Sequence, residues 1–250
     1  MKSSQPVPRL QRLMAWAAVL SMLWTAPLPG CAADEPLPQP RKVADPADIP
    51  GGVRTDRWEL AAVKYHYLDQ GVDYTKAGLA PVCLVVKNTS ETTPVIKPQE
   101  ARAKAPDGEY LPYTVDEAVR LVMDSEQFDR MLAKGAQRGA VGAAVGAGLG
   151  ALFGLIGGGD AVWKGAAVGG GVGGVVGAGS AIPGTEKELR QAVEHDLYSY
   201  AWTDEPIPPD FTKVGYLYFP GGRNITAVSV TLRGNETVKT YRLELHGMKN

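Results

Sequence analysis

Residues 139–184, directly after Arg138, read GAVGAAVGAGLGALFGLIGGGDAVWKGAAVGGGVGGVVGAGSAIPG and hold more than half of the chain's 30 glycines. The run is neither proline-rich nor serine-rich, and it keeps a register that a flexible linker has no reason to keep. Gly142, Gly146, Gly150, Gly154 and Gly158 recur at every fourth residue, and after Asp160 the spacing restarts at Gly165, Gly169, Gly173 and Gly177. On a helix each series makes one narrow stripe, with Val141, Val145, Leu149, Leu152 and Ile156 on the arc beside the first. Val168, Val172, Val175 and Val176 stand apart from the glycines of the second. The pattern predicts two helices joined by a glycine-rich turn, each with a smooth groove and an apolar ridge.

Such helices need help from their surroundings. Glycine disfavours a helix by about 1 kcal/mol relative to alanine, so Gly139, Gly142, Gly146, Gly148, Gly150 and Gly154 cost the first one roughly 6 kcal/mol. A membrane offsets this, because backbone must be hydrogen-bonded there and glycine faces let helices approach closely. Residues 139–159 carry no charge, and as a helix they span about 31 Å, close to the thickness of a hydrocarbon core. From about Gly135 to Gly184 the chain resembles the glycine-zipper hairpins of small bacterial envelope proteins, which insert into or against a membrane. The resemblance implies helix-packing roles for Gly142, Gly146, Gly150, Gly154, Gly165, Gly169, Gly173 and Gly177. Two outcomes stay open: membrane insertion, or a helix pair buried against the rest of the chain or in a homo-oligomer.

Both flanks of the run read as amphipathic helices. Upstream, Ala118, Leu121, Val122, Phe128, Met131 and Leu132 recur at helical spacing after Asp116, which offers a capping side chain. Downstream, Thr185 and Glu188 form a capping-box pattern, and Leu189, Val193, Asp196/Leu197 and Tyr200 continue one face. Beyond the helices the period changes to that of strands. Strands are expected from Trp58, over Leu79–Asn88, Thr93–Ala103 and Tyr110–Thr114, and again over Val214–Phe219, Ile225–Leu232 and Thr237–Leu245. Neither β half is comfortable alone, so the expected fold is mainly β: one Ig-like β-sandwich, residues 56–115 plus 211–250, interrupted by a helical insertion, 116–210, that contains the glycine zipper 135–184.

The N-terminus carries a second signal. Lys2, Arg9 and Arg12 precede the apolar run LMAWAAVLSMLW, and no acidic residue occurs before Asp34, the order of an export signal. The run ends in Ala26-Pro-Leu-Pro-Gly-Cys31, which resembles the bacterial lipobox, with Leu28 at minus three, Gly30 at minus one and Pro29 departing from the pattern at minus two. The resemblance implies a signal peptide over 1–30, a diacylated Cys31 and a Pro-rich tether over 31–55. It places the chain in a bacterial cell envelope, on the outer membrane facing the periplasm, because Ala32 stands where an aspartate favours inner-membrane retention. With Cys31 acylated, Cys83 is the one thiol left and reads as a small buried hydrophobe.

Little else in the chain points to chemistry. A net charge of -1 and a pI near 6.3 leave no basic field for nucleic acid. Gly169, Gly171 and Gly174 satisfy a dinucleotide fingerprint, with Asp196 at a distance suited to a ribose, but no strand of a βαβ unit precedes them. His66, His195 and His246 lack metal-ligand spacing, and Glu194, His195 and Asp196 are consecutive on a helix and so point apart. No catalytic, cofactor or metal site is expected. The expected function is that of a non-enzymatic envelope lipoprotein with a structural or interaction role, its partners being the membrane and a second copy or another envelope protein. The alternative is a soluble periplasmic binding module that oligomerises through its glycine-rich helices. Replacing Cys31 by Ser is expected to abolish acylation and leave unprocessed precursor. Mass spectrometry of the mature wild-type N-terminus checks this, and an unmodified residue there rejects the lipoprotein reading.

Overall fold

Strand Leu79–Asn88 is buried along nearly its whole length, because layers of structure cover both of its faces. The computed structural model describes residues 44–67, 72–138, 149, 186–234 and 237–245, all within one compact unit, Pro40–Asn250. The described residues form a mainly β fold of two antiparallel sheets with three helices.

The middle sheet has the order β1-β2-β3-β7, from β1 (Val53–Arg54), β2 (Trp58–Lys64), β3 (Leu79–Asn88) and β7 (Thr212–Pro220). The outer sheet centres on β8 (Ala227–Arg233), with β9 (Val238–Glu244) paired along one edge. The other edge of β8 is shared by β4 (Val95–Ile96) and β5 (Arg102–Ala105), and β6 (Gly108–Tyr110) pairs with β5. Thr93–Ala103 is therefore not one strand. Pro94 and Pro98 cannot donate to a ladder, and Pro98–Glu100 makes a 3-10 turn between the two pieces. Arg233 bridges that break, its Nε lying 2.9 Å from Glu100 Oε2.

Strands before and after the helices meet in both sheets. β3 pairs with β7 from Leu79↔Pro220 to Lys87↔Thr212, and β5 pairs with β8 from Arg102↔Ser229 to Lys104↔Ala227. Trp58, Leu60, Leu84, Val86, Leu217 and Phe219 of the middle sheet share a core with Ile96, Ala103, Val228, Val230, Leu232 and Leu243 of the outer sheet. Trp58 Nε1 donates to the Tyr241 hydroxyl across that core at 2.6 Å. Outward-facing Ser229 and Thr231 alternate with the buried valines of β8, as expected of a sheet with one wet face.

The other face of the middle sheet carries the helices α1 (Val115–Met123), α2 (Glu126–Arg138) and α3 (Glu186–Tyr200). Ala118, Val122, Phe128, Leu189, Val193 and Leu197 pack there with Val63, Cys83, Val85, Val214, Tyr216 and Tyr218. The cap of α1 is Thr114, not Asp116. The Thr114 hydroxyl accepts from Glu117 N while the Glu117 carboxylate accepts from Thr114 N, a full capping box. Asp116 already lies inside the first helical turn, and its carboxylate accepts from the Tyr198 hydroxyl of α3. Thr185 lies outside the described residues.

After α3 the chain turns back into the sheets. Trp202 and Ile207 are buried in the inter-sheet core, and Trp202 N donates to Tyr216 O at 2.9 Å along the edge of β7. That crossing requires a glycine at 215, since a Cβ there would lie 2.9 Å from Trp202 Cα. Gly215→Ala is expected to cost about 1–3 kcal/mol by overpacking against backbone. Gly234→Ala, where the nearest atom would be an ordinary 3.7 Å away, should change stability by less than about 0.5 kcal/mol. Denaturant titration of both variants provides the comparison.

Candidate functional site: a buried carboxyl among tyrosines

Helix α3 buries Leu189, Val193 and Leu197, and Asp196, seven residues after Leu189, falls on the same face. It is 2% exposed. The Tyr74 hydroxyl donates to Asp196 Oδ2, whereas Oδ1 has no hydrogen-bond partner among the described residues. Tyr74 reaches the carboxyl from the connection between β2 and β3, where a tight turn fixes it. Asp73 Oδ1 accepts from Thr75 N at 3.1 Å and Lys76 N at 3.4 Å, and Lys76 Nζ lies 3.2 Å from Oδ2. Leu79 N then closes the turn on Tyr74 O at 2.9 Å, through Gly78 at φ +86°.

Further tyrosines surround the pair. The Tyr65 ring meets Tyr74 edge-on at 6.1 Å, and Tyr216 stacks with Tyr218 at 6.5 Å. Their hydroxyls hold the helical layer by its backbone: Tyr218 donates to Leu197 O at 2.7 Å and Tyr216 donates to Leu149 O at 2.9 Å. Helical carbonyls have a second lone pair, so these bonds need not displace the helix's own.

Burial pushes the Asp196 carboxyl up to about 7, and the bond from Tyr74 draws it down by less. Burial and then the Asp196 carboxyl raise Tyr74 and Tyr218 and lift Tyr200 up to about 12, while burial, then Asp73 and Asp196, raise Tyr65. At mildly acidic pH the pair is therefore a neutral acid against a neutral phenol. Its chemistry is proton uptake and release inside a core. Burial alone raises the Cys83 thiol, which makes it an inert core residue rather than a nucleophile.

Two shallow depressions open on the surface, the second of them bordered also by Tyr216 and Tyr218. One, of about 290 Å³, is lined by Pro46, Gly52, Arg54 and Glu59. Its two charged residues pair with each other, Arg54 Nε lying 2.7 Å from Glu59 Oε1. The other, of about 230 Å³, lies between Pro98, Pro112, Tyr113 and Trp202.

Cys31 and the glycines at 142, 146, 150, 154, 158, 165, 169, 173 and 177 lie outside the described residues. Leu149, inside the glycine run, is helical and fully buried. His66 and His195 are exposed, and His246 lies outside the described residues. Among the described residues no group of His, Cys, Asp and Glu could hold a metal ion, and no helix is long and apolar enough to cross a membrane. The sequence placed Asp196 on the apolar face of α3, and its roles as a ribose contact or acid–base group were set aside, but that place was also the available signal of a buried carboxyl.

Comparison with known proteins gives no match: no family model fits the chain, and no curated protein or solved structure is significantly similar to it.

The raised carboxyl sets the sign of a pH effect. The folded state holds the Asp196 proton more tightly than the unfolded chain, so the stability it contributes is full below pH about 3.8 and is lost as pH rises through about 7. The loss amounts to roughly 4 kcal/mol at most, since each tenfold gain in proton affinity on folding is worth about 1.36 kcal/mol. Asp45, Asp73 and Glu100, whose carboxyls are lowered, act in the opposite sense at acid pH. The difference between wild type and Asp196→Asn isolates the one group: the variant is expected to gain on wild type steadily between pH 4 and 7 in denaturant titrations.

Proposed function

We propose that the protein is a lipid-anchored bacterial envelope lipoprotein with a structural or interaction role, built as an Ig-like β-sandwich that carries a glycine-zipper hairpin. The strand order supports the Ig-like reading. β2 pairs with β3, the chain crosses to β4 and β5, returns as β7 beside β3, crosses again as β8 beside β5, and closes as β9 beside β8. These pairings support a Greek-key arrangement of that kind, with the helices in the link between β6 and β7. The lipid anchor rests on the export signal and on Leu28, Gly30 and Cys31.

Leu149 carries the reading of the hairpin. A residue of the apolar ridge beside the first glycine stripe is buried with the helix-side face of the middle sheet, and Tyr216 holds its carbonyl. This favours a glycine helix seated on the protein over one crossing the bilayer, so Cys31 supplies the membrane attachment. On a helix continued through Leu149, the stripe of Gly142, Gly146, Gly150 and Gly154 lies roughly 80° round from the seated side. There it can receive a second glycine helix, from the same chain or from another copy.

Gly146→Leu and Gly150→Leu are expected to weaken that pairing, and Ala143→Leu to leave it nearly intact. Crosslinking in membranes and sizing in detergent read the difference, and equal behaviour of the two classes overturns the zipper. A version exported by an ordinary cleavable signal in place of residues 1–31 should fractionate with soluble protein. Retention in the membrane would instead support an inserted hairpin.

A further inference from the structure

We infer that Asp196 makes α3 a pH-dependent latch on the middle sheet: the neutral carboxyl lets the helix close beneath Tyr74, and ionisation favours its release. The latch does not depend on the lipoprotein reading.

The two cores make such a release possible. Residues of α3 pack only in the core between helices and middle sheet, through Leu189, Val193 and Leu197. None belongs to the core between the sheets, which holds Trp58, Leu84, Phe219 and Val230. Lifting α3 therefore breaks its contacts with the middle sheet and with α1, the Tyr198–Asp116 bond among them, and leaves the core between the sheets closed, as expected of a unit that opens below the global unfolding free energy. The opened face would expose Val214, Tyr216 and Tyr218 of β7.

The groups around the carboxyl make its charge the trigger. From the β2–β3 connection it faces Tyr65 and Tyr74, from β7 Tyr216 and Tyr218, and on α3 itself Tyr200. Cys83 of β3 lies in the same core, and among the described residues α1 and α2 bring Ala118, Val119, Val122 and Phe128 there. None of these groups is cationic. Asp73, the nearest other acid in the turn, is matched by Lys76 at 3.2 Å. When Asp196 ionises it has, among the described residues, one donor, Tyr74, and an oxygen without a partner, the arrangement for which burial of charge is most costly. In the open helix the carboxylate meets water, so ionisation favours the open form.

Hydrogen exchange of the full chain, followed by mass spectrometry from pH 5 to 8 and corrected for the intrinsic chemical rate, tests this. The opening constant of α3 amides is expected to rise about tenfold per pH unit up to neutrality and then level off, while amides of β3 and β8 stay constant. Asp196→Asn should flatten the α3 profile. Tyr74→Phe should move the levelling point to higher pH, because the bond it removes favours the ionised carboxyl. A contact that is merely structural would instead loosen α3 equally at every pH. An α3 profile that is the same in wild type and Asp196→Asn overturns the latch. Should Asp196→Asn not fold, an unmoved levelling point in Tyr74→Phe overturns it.

Discussion

The constraint on which the structure depends is that strands β3 and β7 of the middle sheet have no wet face. β3 and β7 lie side by side, and both sides of both strands are buried, toward the outer sheet through Leu84 and Phe219 and toward the helices through Cys83 and Tyr216. A sheet buried on both faces needs two covers, and this chain supplies them from different material. One is a second sheet with its own polar outer surface. The other is a set of helices from the long link between β6 and β7. The helices are therefore a third layer rather than an appendage, and removing them would leave Val214, Tyr216 and Tyr218 facing water.

The two covers are attached differently. Between the sheets, contacts are apolar, with the indole nitrogens of Trp58 and Trp202 satisfied by Tyr241 and the Ile96 carbonyl. Between sheet and helices, tyrosine hydroxyls reach across to helix backbone at Leu197 and Leu149, and one reaches a carboxyl at Asp196. Each neutral hydroxyl bond contributes only about 0.5–1.5 kcal/mol net, but leaving a buried phenol unpaired costs more than making the bond gains. The tyrosines thus fix where each helix sits. The carboxyl adds a dependence on pH that the apolar core lacks.

The glycine run enters this scheme at one described point. Leu149 is held by the same tyrosine ladder as α3, on the face where Cys83 and Val214 lie.

Much of the β architecture was legible in the sequence because it depends on local period. The run from Leu79 to Asn88 marked β3, and alternation over Val228, Val230 and Leu232 marked β8 with one face in water. The register of α3 was legible too, including the place of Asp196 beside Leu189 and Val193. The break at Pro98 and the cap at Thr114 were present as residue types, but a longer β pattern and the nearby Asp116 competed for the same assignments. What the sequence could not determine is which surface meets which. Period shows that a strand face is apolar and is silent on whether a sheet or a helix covers it. Tyr74 and Asp196 stand 122 positions apart, and only the stacking of α3 on the middle sheet brings them together, strips the carboxyl of water and turns an ordinary helix aspartate into a buried acid.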